Sequence, residues 1–202
     1  MNVMTTDVAT IETRGLESRD APAIAFRRLR QGESATYRKM RLESLLRFPD
    51  RFGFTYEEEA SIARLPFEIA IEAGAGDRFV MGAFAAIGLV GMVGFMRHDR
   101  AKTRHRGQIS QVYVDPEAHG QSVGGLLMRA TLEEAFEVAG IEQVDLSLVT
   151  TNHAAQRLYE RLGFETFGVQ ENYFKLGERS WHQRHMQITR ERFRLRHSAG
   201  FK

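Results

Sequence analysis

The 202-residue chain contains no cysteine. Disulfides, thiolate metal sites and a cysteine nucleophile are therefore excluded, and the absence fits a reducing cytoplasm. No run approaches the ~18 consecutive apolar residues of a membrane helix. The opening stretch MNVMTTDVATIETRGLESRD has no apolar core segment and carries acids, so it reads as neither signal peptide nor anchor. Residues 1–22 are expected to form a mobile N-terminal arm. Internal repeats and low-complexity blocks are also missing. The formal net charge is only +2, and much of the positive charge lies late, in Arg190, Arg192, Arg194, Arg196 and Lys202. Such a tail could meet nucleic acid or an acidic partner. Apart from Phe193 and Phe201, however, it lacks the aromatics of a single-strand binder. Residues 191–202 are therefore read as a solvated basic tail, and nucleic acid is not expected as a partner.

What is present is ordinary for one globular domain: 43% hydrophobic and 27% charged residues in a chain long enough for a sizeable core. That domain is expected over residues 23–190. IAFRRLR, residues 24–30, reads as a first strand. Gly32-Glu33-Ser34 offers a helix start with Ser34 as the cap, and Pro49 ends that helix. Residues 52–74 read as a loop with one or two short helices. Three antiparallel strands follow, at 78–85, 89–98 and 107–114. From Ser122 the apolar period becomes helical, running toward a stop at Gly140. VDLSLV alternates as a strand over 144–149. Asn152 caps a helix closed by Gly163, and two strands end the domain, at 165–175 and 181–189. Helices between strands after residue 120 imply crossovers and a mixed α/β sheet.

One loop stands out. In VYVDPEAHGQSVGG, residues 112–125, a β-branched strand stops at Pro116, a glycine-punctuated loop follows, and a helix begins. That order gathers backbone N–H groups in one concavity at the positive end of a helix. Gly120, Gly124 and Gly125 let a ligand reach those amides without a Cβ in the way. A phosphate or pyrophosphate is the natural guest; a tight turn with no ligand is the alternative. No Gly-Lys-Ser or Gly-Lys-Thr follows, which excludes a nucleoside-triphosphatase loop. The dinucleotide pattern G-x-G-x-x-G is absent too.

VYVDPEAHGQSVGGLLM resembles the acetyl-CoA signature of the GNAT superfamily of N-acetyltransferases, with His119-Gly120-Gln121-Ser122-Val123-Gly124 in the place of Arg/Gln-x-x-Gly-x-Gly/Ala. TTNHAAQRLYERLGFETFG, residues 150–168, is similar to the second family signature. The resemblance spans about residues 24–190. It implies a mixed, mostly antiparallel sheet of about seven strands flanked by helices, splayed at the strand before the loop. It implies acetyl-CoA as cosubstrate, with its pyrophosphate on the amides of Gln121 to Gly125 and its pantetheine arm along Val112, Tyr113 and Val114. Asn152 matches an asparagine that reaches the cofactor, and Tyr159 matches the tyrosine that protonates the departing thiolate. Histidine at 119 is shorter than arginine and lacks its fork, so weaker cofactor binding is expected. Ser122, having a Cβ, is expected in an ordinary backbone region or under strain, its hydroxyl donating to a phosphate or capping the helix.

The acceptor implied is a primary amine of a small molecule, amino acid or protein N-terminus. The strand before the loop, GQISQVYV, carries no acid, which leaves the base unassigned. Tyr56, Glu57 and Glu58 lie in a segment that lines the acceptor cleft in relatives; acids at a helix start are the plain alternative. His105 and Tyr173 are further acceptor-side candidates. No metal is expected: His182 and His185, three apart on a strand, point to opposite faces and have no acids to complete a site. A homodimer follows from the resemblance alone, and no membrane partner is expected. A silent acyl-CoA-binding module stays open beside the enzyme.

Overall fold

The computed structural model describes residues 24–118 and 122–198; the expected N-terminal arm and His119, Gly120 and Gln121 lie outside them. Seven strands form one open sheet: β1 (Ala25–Arg28), β2 (Arg78–Ala85), β3 (Gly88–Arg97), β4 (Arg106–Val114), β5 (Gln143–Val149), β6 (Glu165–Leu176) and β7 (Arg179–Thr189). Their order is β1-β2-β3-β4-β5-β7-β6. Every neighbouring pair is antiparallel except β4 and β5. The crossover between those two is the helix α4 (Val123–Glu137). The helices α1 (Ser34–Arg47), α2 (Tyr56–Ser61) and α3 (Pro66–Ala73) connect β1 to β2, α5 (His153–Leu162) connects β5 to β6, and α6 (Arg190–Ser198) follows β7.

The period-two alternation of the strands sorts the apolar residues onto two faces. Val80, Met92 and Tyr113 look toward Tyr37, Met40, Phe67 and Ile71 of α1 and α3. Phe79, Met81, Val93 and Phe95 look toward Leu127, Met128, Leu132 and Phe136 of α4. Phe67 lies so close to the sheet that a Cβ on Gly94 would come 2.7 Å from its ring; only glycine allows that approach.

Four details depart from the sequence reading. Ser34 is the first helical residue of α1 and Glu33 takes the N-cap position without a side-chain cap bond. The Glu72 carboxylate of α3 accepts from Gly32 N instead, so a tertiary contact replaces a local cap. Helix α4 stops at Glu137 with Val138 extended, and Gly140 serves the turn beyond it at φ +78°. Ser122 lies in the left-handed region, φ 55° and ψ 20°, and its side chain makes no cap bond. Residues 191–198, read as the start of a solvated tail, form α6 together with Arg190 because Phe193 is buried against Phe136, ring centroids 5.4 Å apart.

α1 and α2 are joined by a buried ion pair. Arg41 and Glu59 are 2% and 3% exposed and bond in bidentate fashion at 2.8 and 2.7 Å. A pair so desolvated fixes geometry more than it adds stability. The geometry it fixes is the α1–α2 connection, which borders the cleft described next.

Candidate active site

The cleft begins where β4 and β5 part. Their pairing stops at Gln108↔Asp145, although β4 runs on to Val114 and β5 to Val149. The cause is visible in β4. Gln111 has φ 55°, and against β3 the register slips between Met92 and Gly94, so Gln111 and Val112 together stand opposite Val93. This is a β-bulge, which bends the strand and ends its pairing. A left-handed glutamine is uncommon and needs support. Tyr37, fully buried in α1, supplies it by donating its hydroxyl to Gln111 Oε1 at 2.8 Å. Burial pushes the Tyr37 phenol well above its ordinary value, so it stays a donor.

The gap opens into a cleft of about 380 Å³. Val112, Tyr113 and Val114 form one wall, and Leu146, Ser147 and Leu148 of β5 the other. Ser122, Val123, Gly124 and Gly125 close one end at the start of α4, beside Asn152, Leu158 and Tyr159. Phe48, Arg51 and Phe52 from the α1–α2 connection close the other side. The β6–β7 hairpin leans on that connection, through an ion pair of Arg179 with Asp50 at 3.0 Å and the Phe174 ring against Gly53.

Gly124 and Gly125 are informative about what the cleft admits. A Cβ built on either would meet only Leu158 or Val114 atoms at 3.6 Å or more, and neither residue has a positive φ. The protein itself has room for alanine there, where alanine favours a helix by ~1 kcal/mol. Small residues at a helix start, with unused space toward the cleft, suit a ligand that must approach the amides closely.

Asn152 caps α5, its Oδ1 accepting from Ala155 N at 3.2 Å. Tyr159 is 5% exposed and packs its ring on Phe164 at 5.9 Å. It also borders the cleft, and its hydroxyl has no hydrogen-bond partner among the described residues. Burial alone pushes this phenol above its ordinary value, so it holds its proton at any working pH.

The other candidates are not gathered here. Glu58 is occupied by a capping box with Thr55, its carboxylate accepting from Thr55 N at 2.7 Å while Thr55 Oγ1 accepts from Glu58 N at 3.2 Å. Glu57 is exposed, Tyr56 opens α2, and none of the three lines the cleft. His105 is exposed just before β4, at the end of the strand opposite the bulge. Tyr173 is exposed on β6, edge-on to Phe174 and His185. Sequence reasoning missed Gln111, Ser147, Phe48, Arg51, Phe52 and Arg161. A glutamine just before the apolar VYV run was the one local sign of the bulge; the rest are joined only by tertiary structure. Among the described residues, no three His, Asp or Glu side chains stand together as a metal site, and no helix is long and apolar enough to cross a membrane.

This arrangement has known counterparts. A family model described as "Acetyltransferase (GNAT) family" matches residues 40–164. The chain belongs to the GNAT acetyltransferase family. A mycothiol acetyltransferase of Salinispora arenicola is 37% identical over 76 residues, which is 38% of this chain and 25% of that one. The chain thus spans about a quarter of the length of that relative. The GNAT-family acetyltransferase of Streptococcus pneumoniae superposes with TM-score 0.70 at 19% identity, covering 83% of this chain and 99% of that one. A phosphinothricin acetyltransferase from Sinorhizobium meliloti, solved in complex with AcCoA, gives TM-score 0.65 at 18% identity over 82% of this chain and 88% of that one. At such identities the two structures speak for the fold.

Proposed function

We propose that this GNAT chain is an N-acetyltransferase that moves the acetyl group of acetyl-CoA to a primary amine by direct attack in a ternary complex. The observation that carries the reading is the gap between β4 and β5, opened by the Gln111 bulge and bordered by both the Gly124-Gly125 helix start and the Tyr159 hydroxyl. The pyrophosphate takes the amides of Ser122, Val123, Gly124 and Gly125 together with Gly120 and Gln121, and His119 adds a contact from its side chain. The pantetheine arm lies along Val112, Tyr113 and Val114, as an added strand would. Asn152 borders the arm from the start of α5.

The acceptor enters from the side of Phe48, Arg51 and Phe52. Its nitrogen bonds to the thioester carbonyl carbon, the C–S bond breaks, and the sulfur takes the Tyr159 proton. A phenol is suited to this because a thiolate with conjugate pKa ~8.5 leaves better as a thiol. The dry surroundings of Tyr159 keep its proton in place until negative charge appears on sulfur. The reading includes a cytoplasmic setting, which the cysteine-free chain fits, and a homodimer, for which exposed Phe167, Val169 and Leu176 on β6 offer apolar surface.

The test is release of thiol from acetyl-CoA in the presence of a primary-amine panel, with mass spectrometry of the acceptor. Amine-dependent thiol release and an acetylated acceptor support the reading. Tight coenzyme A binding without thiol release from any amine would instead assign a silent acyl-CoA-binding module.

A further inference from the structure

The reaction above needs a group to take the proton that the amine loses, and β4 carries no acid. On the facing wall, Ser147 of β5 is exposed in the cleft. Its Oγ lies 2.9 Å from His185 Nδ1 on β7, its direct cross-strand partner. Both lie on the face opposite Leu146 and Met186, which are in the core. His185 is half-buried, with the Phe167 ring at 5.8 Å and the Tyr173 ring edge-on at 6.3 Å. The rings limit how the imidazole can turn and leave Nδ1 directed at Ser147.

The charged surroundings are few. On β5 the same face carries Asp145, whose Oδ2 is held by Arg106 at 2.7 Å. On β7 the same face carries the uncharged Gln183 and Gln187. On β6 it carries the Tyr173 phenol and Glu165, which stands opposite Gln187 and is paired with Arg192 at 2.6 Å, and Arg161 of α5 also lines the cleft. Across the cleft stands Arg51, its guanidinium 4.2 Å from the Phe48 ring. No ion pair to His185 exists among the described residues, so the Nδ1 position is given to the serine alone.

We propose that Ser147 and His185 form the route by which the acceptor amine loses its proton, Ser147 touching the amine and His185 acting through it. In the starting state His185 carries its hydrogen on Nε2, and the Ser147 hydroxyl donates to Nδ1. As the C–N bond forms and the C–S bond breaks, the amine proton passes to Ser147 Oγ and the serine's own proton passes to Nδ1. The products are the amide, the thiol protonated by Tyr159, and an imidazolium and phenolate that solvent resets. Imidazole is the side chain whose charge changes most readily near neutral pH, which suits a proton acceptor here. This inference rests on the acetyl-transfer reading.

The probes are acetyl-CoA with an N-terminal-alanine tripeptide amide, spermidine and glucosamine. His185→Gln keeps an acceptor for the serine hydroxyl but cannot take a proton. It should lower kcat about 100-fold, change KM by less than a factor of about three, and leave coenzyme A affinity as it was. The deficit should shrink as pH rises and solvent base takes over. In His185→Ala, added imidazole should restore part of the rate, an effect that a purely structural histidine would not give. Ser147→Ala should match His185→Gln. If the wild type acetylates none of the probes, the acetyl-transfer reading fails and the relay falls with it. If the wild type acetylates a probe while His185→Gln keeps its rate and its pH profile, the relay alone is wrong.

Discussion

Removing one oxygen, in Tyr159→Phe, separates two roles that this ring combines. The ring packs on Phe164 and belongs to the core, whereas the hydroxyl borders the cleft with no hydrogen-bond partner among the described residues. Phenylalanine fills the same space, so no cavity forms. Deleting the hydroxyl strands no donor or acceptor among the described residues, because the oxygen is paired with none of them and the residue lines the cleft. The variant should therefore be as stable as the wild type. At a conversion of roughly 2–4 °C per kcal/mol for a domain of this size, its Tm should stay within a few degrees. Activity, by contrast, should fall. Loss of a positioned proton donor costs about 100-fold or more in kcat, equivalent to ~2.7 kcal/mol of barrier. Thermal unfolding and thiol release on the same preparation make the comparison. Because burial raises this phenol above its ordinary value, the wild type should show no alkaline loss of kcat from Tyr159 below pH ~10. A variant that loses several degrees of Tm together with its activity would make Tyr159 a core residue only. A variant that keeps full turnover would remove it from the chemistry.

Gly124→Ala has room in the protein and favours the helix by ~1 kcal/mol, so stability should rise while coenzyme A affinity, measured by calorimetry, falls; equal affinity would show that no ligand approaches that amide closely. Arg41→Ala strands the Glu59 carboxylate in the interior and should cost ~3–5 kcal/mol in urea unfolding, whereas Arg41→Met combined with Glu59→Leu should recover most of it. The Glu33 carboxyl is held at about 2, chiefly by its hydrogen bond from Arg27 and then by Arg30. A lowered folded value means stability that is present above the unfolded value of 4.5 and lost as pH falls toward 2. The pair is partly solvated, so Glu33→Gln should reduce stability at pH 7 by less than ~1 kcal/mol and flatten its fall between those pH values.

Much of this architecture was legible because local signals agreed with tertiary ones. Alternation in VDLSLV marked β5, and Asn152 and Gly163 marked both ends of α5 by capping chemistry. The helix ends that were misread are those where a distant residue supplied what a local one was placed to offer, as Glu72 does instead of Ser34. α6 was missed because its charge pattern reads as solvated, while a single buried aromatic, Phe193, docks it. At the cleft, the two signatures pointed to Gly124, Gly125, Asn152 and Tyr159, which all line it. They gave no sign of Phe48, Arg51 and Phe52, which share the cleft with Ser147 only through the tertiary fold. Glu57 and Glu58 were attractive as acids, but the local cap satisfies Glu58 and the cleft passes both by. The Ser147–His185 pair is separated by 38 positions, and only the β5–β7 register joins it.

Everything proposed for the chemistry depends on the gap between β4 and β5 receiving acetyl-CoA, its pantetheine along the bulged strand and its pyrophosphate on the start of α4. Amide hydrogen exchange with and without coenzyme A tests this most directly. Exchange should slow at Val112, Tyr113, Gly124 and Gly125, with β1 and β2 unchanged. Saturating coenzyme A that leaves all four amides as they were, or that protects a different face of the sheet, would contradict the account.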